Sequence, residues 1–366
     1  MKYVLHIIAN LCIGGAEKVA RDIAFYGADH GYESHFVVFG DEVGEYEPVL
    51  IKHGCNVFHM PSPSAGYIAF IDNLKKLMSR YSYQAVHAHT MFNIGWVMLA
   101  AKQMNVPVRV AHAHSALDNG SGFVKGIYET AMRRLILNCA TDLITCGVDA
   151  GNRLFGEKAF KQRGKLILNG IDTEQFAFNS ETRERMREQL GVADKFVVGH
   201  AGHLAEVKNQ KFLIELMPAL LKKKENAVLL LLGEGEDRKM LEDKIYELGL
   251  SDSVIMTGNV SNVYDYLCAM DVFAFPSLFE GMPLSIVEVQ ANGLPCVISD
   301  RVPKDVFLTD LLTPMSVDKP EPWIDAICAS QRSDPEKYAA IMKESGFDIS
   351  TVIRKFYDIY ERKEND

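Results

Sequence analysis

The chain has 366 residues, 48% hydrophobic and 24% charged, with a net charge of −9. That length suits two domains, and the composition suits ordinary globular cores rather than a disordered or fibrous chain. The acidity argues against a nucleic-acid partner, and the seven scattered cysteines lack a C-x-x-C pair, which fits reduced thiols better than a disulfide frame or a zinc site.

No run of roughly 18 apolar residues exists to span a bilayer. The apolar stretch Val4–Leu11 lacks the basic flank and cleavage site of a secretory signal, so a cytoplasmic chain is expected. Strand-like runs then alternate with helical patterns, as α/β domains with parallel sheets require. In the first half, strands are predicted at Val4–Ala9, His35–Phe39, Ala85–Ala88, Val108–Ala111 and Asp142–Thr145, with helices near Ala16–Ala28, Ile68–Arg80, Ile94–Met104 and Phe123–Cys139. In the second half, strands are predicted at Phe196–Ala201, Ala227–Leu232, Val254–Thr257, Asp271–Phe275 and Pro295–Ile298. Helices near Gln210–Leu221, Asp237–Leu248 and Pro283–Asn292 connect them. The joint is placed in the polar stretch Asn169–Ser180, followed by the very charged Glu181–Gln189. Two Rossmann-like halves facing across a cleft are the simplest architecture: residues 1–170, residues 171–348, and a C-terminal helical segment 349–366 that can pack back on the first half.

Charge is unevenly shared. Residues 1–168 hold 17 Lys+Arg against 14 Asp+Glu, and the remainder 22 against 34. The basic excess gathers at Lys125, Arg133, Arg134, Arg153, Lys158, Lys161, Arg163 and Lys165. It reads either as a solvated face or as a surface for an anionic membrane.

In such folds ligands sit beyond the carboxyl ends of the strands, and the polar residues concentrate there. Gly14-Gly15-Ala16-Glu17 follows the first strand, where glycines allow close backbone approach and a helix start adds positive potential. It is not G-x-G-x-x-G, so a nicotinamide dinucleotide is disfavoured. His87/His89 and His112/His114 form two H-A-H pairs at strand ends, each pair on one strand face; they read as a polar lining or as neutral core imidazoles, and poorly as zinc ligands. In G-H-A-G-H-L-A-E-V-K-N (Gly199–Asn209), Gly202 and Lys208 make a phosphate cradle. Loops at Gly233-Glu234-Gly235 and Thr257–Val260 follow further strands. The densest signal is Glu280-Gly281-Met282-Pro283-Leu284…Glu288, an acid at a helix mouth and a second inside the helix, with Pro283 read at the first helical position and Gly293 as the stop. A helix mouth collects anions and carboxylates hold diols, so the stretch suits a sugar joined to a phosphate. Apolar neighbours on several sides of Glu288 predict burial, which demands a partner for its charge.

Together these motifs resemble the retaining glycosyltransferases of the GT-B fold, family 4, of the bacterial exopolysaccharide and capsule type. The resemblance covers nearly the whole chain, in the order G-G-A-E, H-A-H-S, N-G-I-D, G-x-L-x-x-x-K-N, G-E-G and E-x7-E. It implies an acceptor-binding first domain, a second domain for a nucleotide sugar such as a UDP-sugar, and transfer without a metal or other cofactor. The acceptor would be a saccharide, often lipid-linked, at the inner face of the plasma membrane. Glu280 would hold the donor sugar's hydroxyls, Glu288 the ribose diol, and Lys208 the diphosphate, with backbone N–H groups at Gly15, Gly281 and Met282–Leu284 assisting. Val260 would face the base. His114, rather than His112, matches the family's histidine beside the reacting sugar, leaving Glu17, His89 and His112 on the acceptor side. His203 stands where the family usually has arginine, which removes a fixed charge from the leaving group. Two other readings share the fold: a sugar-nucleotide epimerase and a non-catalytic nucleotide-sugar-binding subunit.

Overall fold

The computed structural model describes residues 2–115 and 122–362, with Ala28 described by its backbone alone. Residues 363–366, the end of the predicted C-terminal segment, lie outside the described residues. The chain divides into two compact units, residues 1–170 with 349–366, and residues 171–348.

The first unit is built on β1 (Lys2–Ile7), β2 (Tyr32–Phe39), β3 (Asn56–Met60), β4 (Tyr83–Ala88), β5 (Val108–Ala113), β6 (Asp142–Thr145) and β7 (Gly164–Leu166). They form one seven-stranded sheet in the order β3-β2-β1-β4-β5-β6-β7, every pair parallel. Helices cover both faces, so the central strands read as apolar runs such as V-L-H-I and A-V-H-A. On one face the helices Tyr67–Met78, Ile94–Gln103 and Phe123–Cys139 bring Leu74, Val97, Met98 and Ile136 against Leu5, Val86 and Ala111. On the other face the helix Gly15–Gly27 is joined by Ile349–Tyr360, which returns from beyond the second unit. Its Val352, Ile353, Phe356, Tyr357 and Tyr360 are buried with Val4, Ile23, Ala85 and Val110, and the Tyr357 hydroxyl donates to the Ile23 carbonyl at 2.6 Å.

The second unit repeats the plan. β8 (Phe196–Ala201), β9 (Ala227–Leu232), β10 (Val254–Met256), β11 (Val272–Phe275), β12 (Cys296–Ser299) and β13 (Leu312–Met315) form a six-stranded sheet in the order β10-β9-β8-β11-β12-β13, again parallel throughout. Two features of its helices go beyond the expectation. The charged stretch after the joint is a helix, Ser180–Gln189, capped by the Asn179 side chain accepting from Thr182 N–H at 2.8 Å. It buries Met186 and one arginine: Arg187 pairs with Asp271 at 3.1 Å and donates to the Ala269 carbonyl at 2.9 Å. Pro283 is not the first helical residue but the cap before Leu284–Ala291, with extended backbone.

All seven cysteines are free, and among the described residues no helix is long and apolar enough to cross a membrane. The returning helix and Gly15–Gly27 share the covering of this core of the first unit, and Phe356 is 1% exposed there. Phe356→Ala should therefore destabilise the first unit by about 3–5 kcal/mol. Urea unfolding followed by a probe in that unit checks it; a midpoint unchanged from the parent would refute the packing role.

Candidate functional site

In both sheets the strand order reverses beside the first strand, between β1 and β4 and between β8 and β11. Crossovers leave those two strands in opposite directions, so their C-terminal loops part and open a crevice at the sheet edge. The candidate residues collect at these two points.

In the second unit, β8 delivers the loop Gly202–Asn209 and β11 delivers Pro276–Pro283. The loops are tied together: Leu278 N–H donates to Val207 O at 2.8 Å and the Asn209 amide to Pro276 O at 3.3 Å. Between them Lys208 Nζ meets Glu280 Oε1 at 2.7 Å, with side chains 21% and 10% exposed. The ammonium also lies 5.5 Å from the centre of the Phe275 ring. A cation and an anion half-withdrawn from water thus neutralise each other where two loops converge. Gly202 lies beside this pair, with a Cβ there in ordinary contact with His200 Nε2 at 3.4 Å and the lysine stem at 3.8 Å. Gly233, at φ +133, lies so close that a Cβ would sit 2.1 Å from the Gly202 carbonyl oxygen. Below the pair, His200 is wholly buried; its Nδ1–H donates to Ala274 O at 2.9 Å, and Nε2 receives the Gln210 amide at 3.3 Å. Burial, and then Lys208, hold that imidazole down to about 4, so it stays neutral. Ser277, also buried, has no partner for its hydroxyl among the described residues.

The remaining predicted donor residues stand in the loops after β8, β10 and β11 or in the helix Leu284–Ala291. Gly281 is exposed and Met282 and Leu284 half-exposed, before a helix whose cap supplies no side-chain acceptor to its first N–H groups. Glu288 lies in that helix and is partly exposed rather than buried, because Val287 and Val289 take the core-facing positions on either side. Val260 is half-buried in the loop after β10, near the bridge between Gly233 and Gly258. His203 is not drawn to the lysine: its Nε2 pairs with Glu236 at 2.7 Å, both well exposed. A backbone hydrogen bond and then His203 hold the Glu236 carboxyl below its ordinary range.

In the first unit, Gly15 is exposed at the start of its helix, and Glu17 folds back over Gly14, where a Cβ would sit 2.3 Å from its carboxylate. Burial raises the Glu17 carboxyl above its usual range. The two H-A-H pairs are brought together, with a fifth histidine that sequence reading missed. His6 on β1 is in register with His87 on β4, so the alternation that buries both also aligns them. His89 Nδ1 lies 2.8 Å from His114 Nε2, His87 Nε2 lies 3.0 Å from His112 Nδ1, and His6 Nδ1 lies 3.4 Å from His89 Nε2. Nitrogens of His6, His87 and His89, and of His89, His112 and His114, fall within 4.8 Å of one another, which is metal-ligand spacing. Both groups need His89, whose two nitrogens are already hydrogen-bonded to other rings. Burial holds His6 and His114 down to about 3, and burial with neighbouring imidazoles holds His87, His89 and His112 well below the ordinary histidine range.

Comparison with known proteins gives this arrangement its family. Residues 13–175 match the family model described as Glycosyltransferase Family 4, and residues 182–313 match Glycosyl transferases group 1. The putative glycosyltransferase EpsF of Bacillus subtilis (strain 168) is 31% identical across 98% of this chain and 96% of its own length. The chain belongs to the GT-B glycosyltransferases. The glycosyltransferase is also 23% identical to the capsular polysaccharide biosynthesis glycosyltransferase CapH of Staphylococcus aureus, over 98% of this chain and 99% of that protein. It is 27% identical to the UDP-Gal:alpha-D-GlcNAc-diphosphoundecaprenol alpha-1,3-galactosyltransferase of Escherichia coli, over 79% and 78%. Among solved structures, Anabaena Alr3699/HepE in complex with UDP shares the fold of the glycosyltransferase at a TM-score of 0.80, with 21% identity over 98% of this chain and 99% of that one.

The histidine set fixes a pH dependence of stability for the enzyme. Each depressed histidine takes a proton near 6.5 when unfolded but only at much lower pH when folded, so the unfolded state binds more protons below about 6.5 and stability decreases as the pH is lowered. His59 acts oppositely, raised first by its hydrogen bond to Glu47, and is outnumbered. The urea midpoint should therefore drop between pH 7 and pH 5.5, where carboxylates are still ionised. A flat or rising midpoint would contradict the neutral buried cluster.

Proposed function

We propose that the protein is a retaining, metal-independent glycosyltransferase that moves a sugar from a UDP-sugar to a lipid-linked saccharide acceptor in surface polysaccharide synthesis. The observation that carries the donor role is the Lys208–Glu280 pair, set between two loops at the strand reversal of the second sheet. One lysine and the N–H groups at a helix mouth suit a diphosphate, and a carboxylate beside them suits sugar hydroxyls. In this reading Lys208 neutralises the diphosphate, Glu280 orients the sugar, and Glu288 holds the ribose diol. The anomeric C–O bond breaks, the nucleoside diphosphate leaves with the bonding pair, and the acceptor oxygen bonds to the same face. Its proton passes to the leaving phosphate, so no dedicated protein base is needed. Catalysis is then chiefly stabilisation of charge developing on the leaving group.

The acceptor reading draws on the Escherichia coli relative, whose name gives a diphosphoundecaprenol-linked substrate, and on CapH for capsule synthesis. For this chain it implies hydroxyl recognition by the first unit, with His114, His112, His89 and Glu17 facing the saccharide. A lipid-linked acceptor places the enzyme in the cytoplasm against the inner leaflet. Exposed Phe123, Val124 and Ile127 on one helix start supply an apolar contact for that surface. Part of the basic charge nearby is neutralised, because Arg153 pairs with Glu129 at 2.7 Å.

Transfer from UDP-sugars in the presence of EDTA tests the first proposal. The parent should turn over undiminished, and Lys208→Ala should lower kcat by about 10²–10³-fold, the scale of one lost electrostatic stabiliser. Abolition by EDTA with rescue by Mg²⁺ would rule out metal independence, and an unimpaired Lys208→Ala would remove the lysine from the chemistry. For the second, the double variant Phe123→Glu, Ile127→Glu should lose flotation with anionic liposomes; undiminished flotation would sink that contact.

A further inference from the structure

The five imidazoles are arranged as two hydrogen-bonded rows. In one, the Tyr360 hydroxyl lies 2.6 Å from His87 Nδ1, and His87 Nε2 lies 3.0 Å from His112 Nδ1. In the other, His6, His89 and His114 follow one another through Nδ1 to Nε2 contacts of 3.4 and 2.8 Å. Among the described residues each row ends on an unpartnered nitrogen, His112 Nε2 in the first and His114 Nδ1 in the second, both atoms buried. His112 itself is 1% exposed.

A neutral imidazole has one N–H and one lone pair, so fixing one nitrogen fixes the other. Tyr360 is wholly buried in the returning helix, and among the described residues His87 Nδ1 is the only partner of its hydroxyl. The phenol therefore donates, His87 carries its proton on Nε2, and that proton is donated to His112 Nδ1. The proton of His112 is left on Nε2. The second row has no such anchor, since His6 Nε2 also lacks a partner and the row can run in either direction.

We propose that Tyr360 is a positioning residue for the histidine site: acting through His87, it fixes the proton of His112 on Nε2, so that the site offers the saccharide an uncharged N–H donor rather than a lone pair. The role of this donor rests on the reading that the first unit binds the saccharide; the position of the proton does not. An unmatched buried N–H is costly, and a substrate hydroxyl oxygen that accepts it relieves that cost on binding. An uncharged donor favours a hydroxyl or ring oxygen over a phosphate, which separates the chemistry of this site from that of Lys208. The same proton excludes the metal alternative at His112 Nε2, because a metal there needs the lone pair and would turn the row against the Tyr360 hydroxyl.

Histidine-labelled protein read by long-range ¹H–¹⁵N correlation locates these protons directly. In the parent, His87 and His112 should both show a protonated Nε2 and a bare Nδ1. Tyr360→Phe removes only the hydroxyl; it should convert His112 to a mixture of both forms and lower kcat/KM for transfer by about tenfold, the loss of one donor interaction, with UDP affinity unchanged. His87→Phe, which keeps a flat ring in the stack, should release His112 in the same way and serves if Tyr360→Phe does not fold. A parent proton on His112 Nδ1, or a variant spectrum in which His112 is unmoved, overturns the proposal. A released tautomer with unaltered kcat/KM overturns the positioning role and leaves glycosyl transfer standing. Because the spectra need no turnover, they decide the place of the proton even if the parent transfers no sugar.

Discussion

The structure depends on one topological constraint, the reversal of strand order in a parallel sheet. Right-handed crossovers send successive helices to one face while strands are added in one direction, and to the other face once the direction reverses. Where the reversal falls, two neighbouring strands end without a connection bridging them, and polar side chains can stand there without breaking a core. Both sheets place it beside their first strand. β1 and β4 bring His6, His87 and His89 together there, while β8 and β11 bring Lys208 to Glu280.

The two reversals are furnished by opposite electrostatic means. The second unit keeps a full ion pair, half-shielded and backed by an aromatic ring. The first keeps five rings that burial makes neutral, linked by ring-to-ring hydrogen bonds. An ion pair suits charged groups, and a set of uncharged donors and acceptors suits hydroxyls.

Much of this was legible in the amino-acid order. Buried central strands are continuous apolar runs, and β6, β8 and β9 fall at their predicted residues. The strands that escaped, β3, β7 and β13, are all edge strands: N-V-F-H-M is half-polar, G-K-L is three residues long, and L-T-P-M carries a proline that only an edge tolerates. The helix Ser180–Gln189 escaped because, besides Met186, it packs through arginines, which read as solvated charge. The E-x7-E stretch and Lys208 were visible as spacing, but their contact joins residues 72 apart. His6 was hidden inside an apolar strand, since only the register of β1 against β4 shows what it faces. A signal existed in the repeated form V-L-H-I, A-V-H-A and V-A-H-A, a polar ring at equivalent depth in three strands.

The helix Ile349–Tyr360 belongs to the first unit yet is encoded after the whole of the second. During synthesis, residues 171–348 emerge and can collapse while the β1 face still lacks Phe356, Tyr357 and Tyr360. Completion of the first core thus waits until the chain beyond the second unit has been made. A chain released early would display an unfinished apolar wall on an otherwise ordered sheet, the kind of surface that chaperones and proteases recognise.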